Sequence, residues 1–172
     1  MSLEWKSCKI GDVVSVRRGA SPRPIKDYIS EKGMPWVKIA DATKDQTRFI
    51  NFTSEFIKEG GIEKSVVVNP GDLIVSNSAT PGLPKFMNIK ACVHDGWLII
   101  SDYQKALNTL FFYYELRTNT VQKQFHSLAN GTTVDNLNSE LVRDVRIFIP
   151  PIELQNQFAD YAQSCDKLKF NE

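Results

Sequence analysis

Residues 131–159 read GTTVDNLNSELVRDVRIFIPPIELQNQFA, and four local signals follow one another along them. Asn130 and Gly131 stand where a helix wants a left-handed residue to end it. Asn138 is placed to cap a short turn, SELV. Val145, Ile147 and Ile149 then alternate, the period of a strand with one face on a core. Pro150-Pro151 ends that strand and opens a final helix. In this helix Leu154, Phe158, Tyr161, Cys165 and Leu168 step by 4, 3, 4 and 3 residues, the seam spacing of a coiled coil. The stripe fits a helix folded back on its own domain, or one that meets a second helix. It is still running where the sequence stops at Glu172.

Upstream of this tail the chain divides in two. Residues 104–116 carry enough apolar side chains for a buried helix. A second helix follows, with Asn119 or Thr120 as its cap and Val121, Phe125 and Leu128 on its inner face. The first half reads as short strands broken by turn residues: Ile10–Arg18, PWVKIAD (35–41), VVVNPGDLIVS (66–76) with a Pro-Gly turn inside it, and GWLIIS (96–101). ASPRPIKDY and NSATPGLPKF are expected as exposed, proline-stiffened loops. SEFIKEGG is expected as a short helix capped by Ser54 and stopped by its glycines. Trp36 and Trp97 belong to the core. The whole reads as an α+β fold: a mostly β domain over residues 1–150 with a few helices packed on it, then a helix over 151–172.

The chain has 172 residues and is 42% hydrophobic, enough for a real core. Its formal net charge is only +1, but the charge is patterned. Residues 13–26, 73–94 and 116–134 contain no acid and carry most of the candidate contacts. If these windows meet in space, a nearly neutral chain still presents a positive face. Three cysteines without ligand spacing read as reduced thiols. With no membrane-length apolar run and no signal-peptide core in MSLEWKSCKI, the expected compartment is the cytoplasm, with no membrane partner.

Enzyme chemistry is poorly provided for. The two histidines, His94 and His126, have no metal-ligand spacing, and no phosphate-binding or nucleophile motif occurs. A nuclease would want an acid followed by a later acid-x-Lys around a divalent ion. Here Asp72 is better read as a turn cap, and Glu4-Trp5-Lys6 precedes it. FIPPI (148–152) is similar to the paired prolines of amino-methyltransferases, but Ile149 stands where Asn or Asp would grip a flipped base.

Several segments, in order, resemble the specificity subunits of type I restriction-modification systems. Trp5 to Gly19 looks like the family's opening, and MPWVKIAD and NPGDLIVS resemble two of its inner strands. The tail follows its pattern of Gly-Thr-Thr-Val, Asn-Leu-Asn, a strand, Pro-Pro and a Gln before an apolar helix. The resemblance implies one DNA target recognition domain with the start of its spacer helix, where a full subunit has two of each. The chain then corresponds to half of a longer subunit, a shortened piece, or a half-sized subunit working as a dimer. It also implies a non-catalytic protein without cofactors of its own. S-adenosylmethionine would come with methyltransferase subunits, and ATP and Mg with a motor and nuclease subunit. The other class of protein compatible with the sequence is an assembly domain of the same fold that does not read DNA.

On this reading the partner is double-stranded DNA, read at base edges from loops and held at its phosphates by lysine and arginine. The candidate contacts are Arg17, Arg18, Arg23 and Lys26 in the first window, Asn77, Ser78, Thr80, Lys85 and Lys90 in the second, and Lys38, Thr43 and Lys44 after a strand. Thr132 and Thr133 are candidates for the DNA backbone. Leu154, Phe158, Tyr161, Cys165 and Leu168 are the expected interface to a second recognition domain or a homodimer partner.

Overall fold

The computed structural model describes residues 5–44, 46–130 and 136–169, with the side chains of 167–169 outside the description. Twelve strands are described: β1 (Lys6–Lys9), β2 (Ser15–Arg18), β3 (Ile29–Ser30), β4 (Met34–Val37), β5 (Phe49–Ile50), β6 (Glu55–Ile57), β7 (Val66–Val68), β8 (Leu73–Ser76), β9 (Pro84–Met87), β10 (Ala91–Val93), β11 (Trp97–Ser101) and β12 (Arg146–Ile149). Six helices accompany them: α1 (Ile39–Thr43), α2 (Glu59–Ile62), α3 (Thr109–Leu116), α4 (Asn119–Asn130), α5 (Ser139–Asp144) and α6 (Ile152–Lys169).

The architecture is α+β in three layers. One five-stranded sheet has the order β3-β6-β4-β10-β7, and the other β2-β11-β8-β9-β5. The second sheet is the middle layer. Along β8 and β11, Leu73, Val75, Leu98 and Ile100 face the helices. Ile74, Trp97 and Ile99 face the first sheet. A strand covered on both faces has no polar side to show, which is why LIVS and WLII are continuous apolar runs. Trp97 is fully buried and its indole N–H donates to the Val37 carbonyl at 3.1 Å. Trp36 is buried on the other side of the first sheet, beside Ile57 and Cys92. Burial pushes the Cys92 thiol up to about 11, so this free cysteine is an inert core residue.

The tail forms as its local signals say. Asn138 accepts the Leu141 N–H at 2.8 Å and caps α5. β12 pairs antiparallel with β1, burying Val145 and Ile147, and α6 starts after the prolines. In α4, Val121 and Phe125 are buried and Leu128 half-buried, but the Val121 N–H is taken by the Thr118 hydroxyl rather than by Asn119 or Thr120. Gly131 lies outside the described residues.

Five expectations need correction. Ser54 caps no helix: its N–H and hydroxyl both go to Asp41, and Glu55–Ile57 is a strand between β3 and β4. The helix begins only at Glu59, with both glycines inside it. Ile10–Arg18 is interrupted by a 3-10 turn at Ile10–Asp12. PWVKIAD leaves the sheet after Val37 and turns into α1. The expected 104–116 helix starts only at Thr109, because the Asn108 side chain accepts the Leu110 and Phe111 N–H groups. NSATPGLPKF is loop only as far as Leu83, since Pro84–Met87 is β9, paired with β8. Pro84 stands at the first position of that strand, where its missing N–H is tolerated.

Candidate nucleic-acid interface

Strand directions decide which residues meet. β10 runs parallel to β4, while β11 runs antiparallel to β2 and β8. The exits of β2, β4, β8 and β10 and the start of β11 therefore gather at one end of the sandwich. Arg17 and Arg18, Lys38, the 77–83 loop and the tight turn His94–Gly96 lie there. Lys90, preceding β10, lies at the far end of that strand.

The acid-free windows do meet. Gly19 donates to the Trp97 carbonyl at 2.8 Å, and a Cβ there would collide with the His94 main-chain oxygen, so the first loop crosses the turn with no room for a side chain. Asn77 joins the second window to the same turn: its N–H bonds Gly96 O at 2.9 Å and its Nδ2 bonds Asp95 O at 2.9 Å. Two bonds bring in the third window and the tail after it. Gln122 donates to the Gly82 carbonyl at 3.0 Å, and the Leu137 N–H to the Asn77 carbonyl at 2.9 Å.

Asp95 is the hub of this end. Its carboxylate accepts from Ser21 Oγ at 2.7 Å and from Arg23 Nη2 at 2.8 Å, and Arg18 Nη2 lies 3.8 Å away. Its main-chain oxygen takes Arg18 Nε at 2.8 Å. Burial alone would raise this carboxyl; the Ser21 hydroxyl and the two guanidinium groups outweigh it and hold it below its ordinary value. His94 beside it is held down chiefly by burial, between the rings of Trp36 at 6.0 Å and Trp97 at 6.4 Å. Its Nδ1 accepts the Gly96 N–H at 2.8 Å. The imidazole is therefore neutral, and its 3.9 Å approach to Asp95 is no ion pair.

The candidate contacts fall into distinct groups. Arg17, Arg18, Arg23 and Lys26 are exposed. Lys38 pairs with Glu55 at 2.6 Å. Lys44 pairs with the buried Asp41 at 3.2 Å and lies 5.1 Å over the exposed Phe52 ring. Thr43, Thr80 and Lys90 are exposed and Ser78 half-buried. Asn77 and Lys85 are buried at 2% and 4% exposure, so neither reaches solvent; Lys85 Nζ donates to the Thr47 carbonyl. Thr132 and Thr133 lie outside the described residues.

Two features were not legible as site residues. One is Asp95, whose only signal was its place between basic windows. The other is Arg117, which donates to the Tyr113 hydroxyl at 2.9 Å and lies over that ring. Arg117 borders a cleft of about 300 Å³ shared with Thr43, Gln46 and Thr80. It also borders a larger one, of about 710 Å³, that reaches Arg48 and Asp166.

The helix has its own anchorage. Fully buried Gln155 accepts the Asn108 N–H at 2.9 Å and donates to the carbonyls of Ala106 at 3.0 Å and Pro150 at 2.8 Å. Arg48 forms an ion pair with Asp166. Ala159 and Ala162 complete the face that packs inward. The apolar stripe lies mostly off this face. Leu154 and Cys165 are half-buried, Phe158 meets Phe111 and Tyr114 edge-on yet stays 39% exposed, and Tyr161 is 70% exposed. The Leu168 side chain is outside the description. Among the described residues no helix is long and apolar enough to cross a membrane.

The type I restriction modification DNA specificity domain matches residues 2–171, and the chain belongs to that family. Two specificity subunits of Methanocaldococcus jannaschii are similar to it. That of the type I restriction enzyme MjaVIII is 21% identical over 165 residues, which cover 96% of this chain and 36% of the relative. That of MjaIX is 22% identical over 171 residues, covering 96% and 38%. Among solved structures, the HsdS subunit of Thermoanaerobacter tengcongensis superposes with a TM-score of 0.70 at 19% identity, over 98% of this chain and 38% of that one. The type I S subunit of M. genitalium gives 0.71 at 15% identity, over 96% and 40%. The chain thus spans well under half the length of the relatives it matches.

Proposed function

We propose that this chain is a DNA-reading module of a type I restriction-modification system, recognising one half of a split double-stranded target. Residues 1–150 act as the recognition domain, and residues 151–172 begin the helix through which a second recognition domain or a second copy is met. Methylation, ATP use and cleavage belong to methyltransferase and motor subunits, which bring S-adenosylmethionine, ATP and Mg; the module adds no chemistry of its own and works in the cytoplasm.

The observation that carries this reading is the family match along nearly the entire chain. The basic end of the sandwich supports its details. Arg17, Arg18, Arg23 and Lys26 are exposed on or beside a backbone-anchored loop, with Ser78 and Thr80 across the His94–Gly96 turn. Phosphates take the cations, and short polar side chains or a guanidinium fork reach base edges. Lys38 and Lys44 would join only by leaving their carboxylates, and Thr132 and Thr133 flank the site in sequence.

The test is co-expression with type I methyltransferase subunits, followed by sequencing of the methylated genome. One split motif is expected, and alanine at Arg17, Arg23, Lys26 and Thr80 together should erase or alter one half of it. A motif unchanged by those substitutions would place the reading surface elsewhere. Absence of both complex and motif would remove the function itself.

A further inference from the structure

A carboxylate at the centre of a surface meant for phosphates repels the very ligand that its neighbours attract. Asp95 is the one acid in the segments 13–26, 77–83 and 94–97, and fold stability gives little reason for it. The turn is already secured through its main-chain oxygen by Arg18 Nε and Asn77 Nδ2. The side-chain pair with Arg23 is a surface ion pair, the arginine being 71% exposed, and such pairs contribute little to stability.

What the side chain does fix is geometry. A guanidinium carries five N–H donors in one plane. Arg23 uses Nη2 on Asp95 Oδ2 at 2.8 Å. Ser21 Oγ, at 2.7 Å from Oδ1, holds the carboxylate against rotation. Arg18 is gripped at Nε by the neighbouring carbonyl and faces the same carboxylate at 3.8 Å. Both planes are thereby set while most of their donors stay open to solvent. Bidentate reading of guanine needs such a preset plane, whereas phosphate attraction needs only charge.

Resting on the DNA-reading function above, we infer that Asp95 is a positioning residue for base readout. It orients Arg18 and Arg23 and, by competing with phosphates for them, keeps the pair from gripping DNA of any sequence. Arg23 is the reading side chain of the two, being tied only through its tip. Arg18 supports it from the edge strand.

The experiment uses the chain in complex with methyltransferase subunits and compares wild type, Asp95→Asn and Arg23→Lys. Two readouts are taken: affinity for a randomised-sequence duplex against salt, and the methylated motif. Asp95→Asn should steepen the log–log salt slope by about 0.9 for each arginine released. Between 50 and 200 mM salt this is an extra loss of about 3.5-fold per contact. The motif should relax at one position. Arg23→Lys keeps the charge and loses the fork, so the slope should hold while the motif relaxes. The inference is overturned if Asp95→Asn leaves slope and motif as in wild type, or if Arg23→Lys reads the wild-type motif unchanged. A wild-type complex that methylates no motif would instead overturn the DNA-reading function beneath it.

Discussion

The loops at 17–26 and 77–85 look alike in sequence, acid-free, proline-stiffened and rich in basic or short polar side chains, yet the fold uses them in opposite ways. The first leaves its four cations exposed and ties itself down by backbone at Gly19. The second turns Asn77 inward and takes Lys85 into β9, where both serve carbonyls of the scaffold. The reason lies in what flanks each loop. β2 is an edge strand, so Arg17 and Arg18 face solvent. β8 and β9 are interior strands covered on both faces, and a polar residue beside them finds backbone groups before it finds water. Polarity in a loop marks an external contact only where the neighbouring strand leaves it room.

Substitutions can break this contrast at three levels. The largest effect is expected for Gly19→Ala, whose Cβ would press on a main-chain oxygen that cannot move aside. A loss of about 3 kcal/mol in urea unfolding is expected, and a stable variant would mean that the first loop is not seated as described. Asn77→Ala should follow, leaving the Asp95 and Gly96 turn without its side-chain donor. The expected loss is about 1–3 kcal/mol, read from the unfolding midpoint at constant m. Arg23→Ala should lie within about 1 kcal/mol of wild type, because its pair with Asp95 is exposed to solvent. If Arg23→Ala destabilised more than Asn77→Ala, the two loops would have been assigned the wrong way round.

Signals confined to a few residues carried through from sequence to structure: the Asn138 cap, the β12 alternation, the prolines and the α6 helix. Signals that depend on a distant partner did not. VVVNPGDLIVS has a Pro-Gly turn, with Gly71 at φ +93° and Asp72 capping the Asn69 N–H as expected. Its two strands nevertheless join different sheets, which no local pattern reveals. SEFIKEGG carries a helix cap and a helix stop, but pairing on both sides of Phe56 outweighs them. At the candidate site, the acid-free windows come together at one end of the sandwich, which their lack of acids alone could not tell. Burial of Asn77 and Lys85, and the convergence on Asp95, depended on register that one sequence does not display.

The antiparallel pairing of Lys6–Lys9 with Arg146–Ile149 has a consequence for exchange. The strand that leads into the body and the strand that leads out lie side by side, as the two tines of a clasp. Everything from Ile10 to Val145 hangs from that clasp as a closed loop, with α6 leaving beside its own point of departure. A different body grafted between the same two strands would keep the point where the helix departs. It would keep the helix direction only by supplying seats like those that Asn108, Arg48, Phe111 and Tyr114 give Gln155, Asp166 and Phe158. The clasp thus sets where the helix leaves, while the segment before α3 and the face of α3 set which way it points.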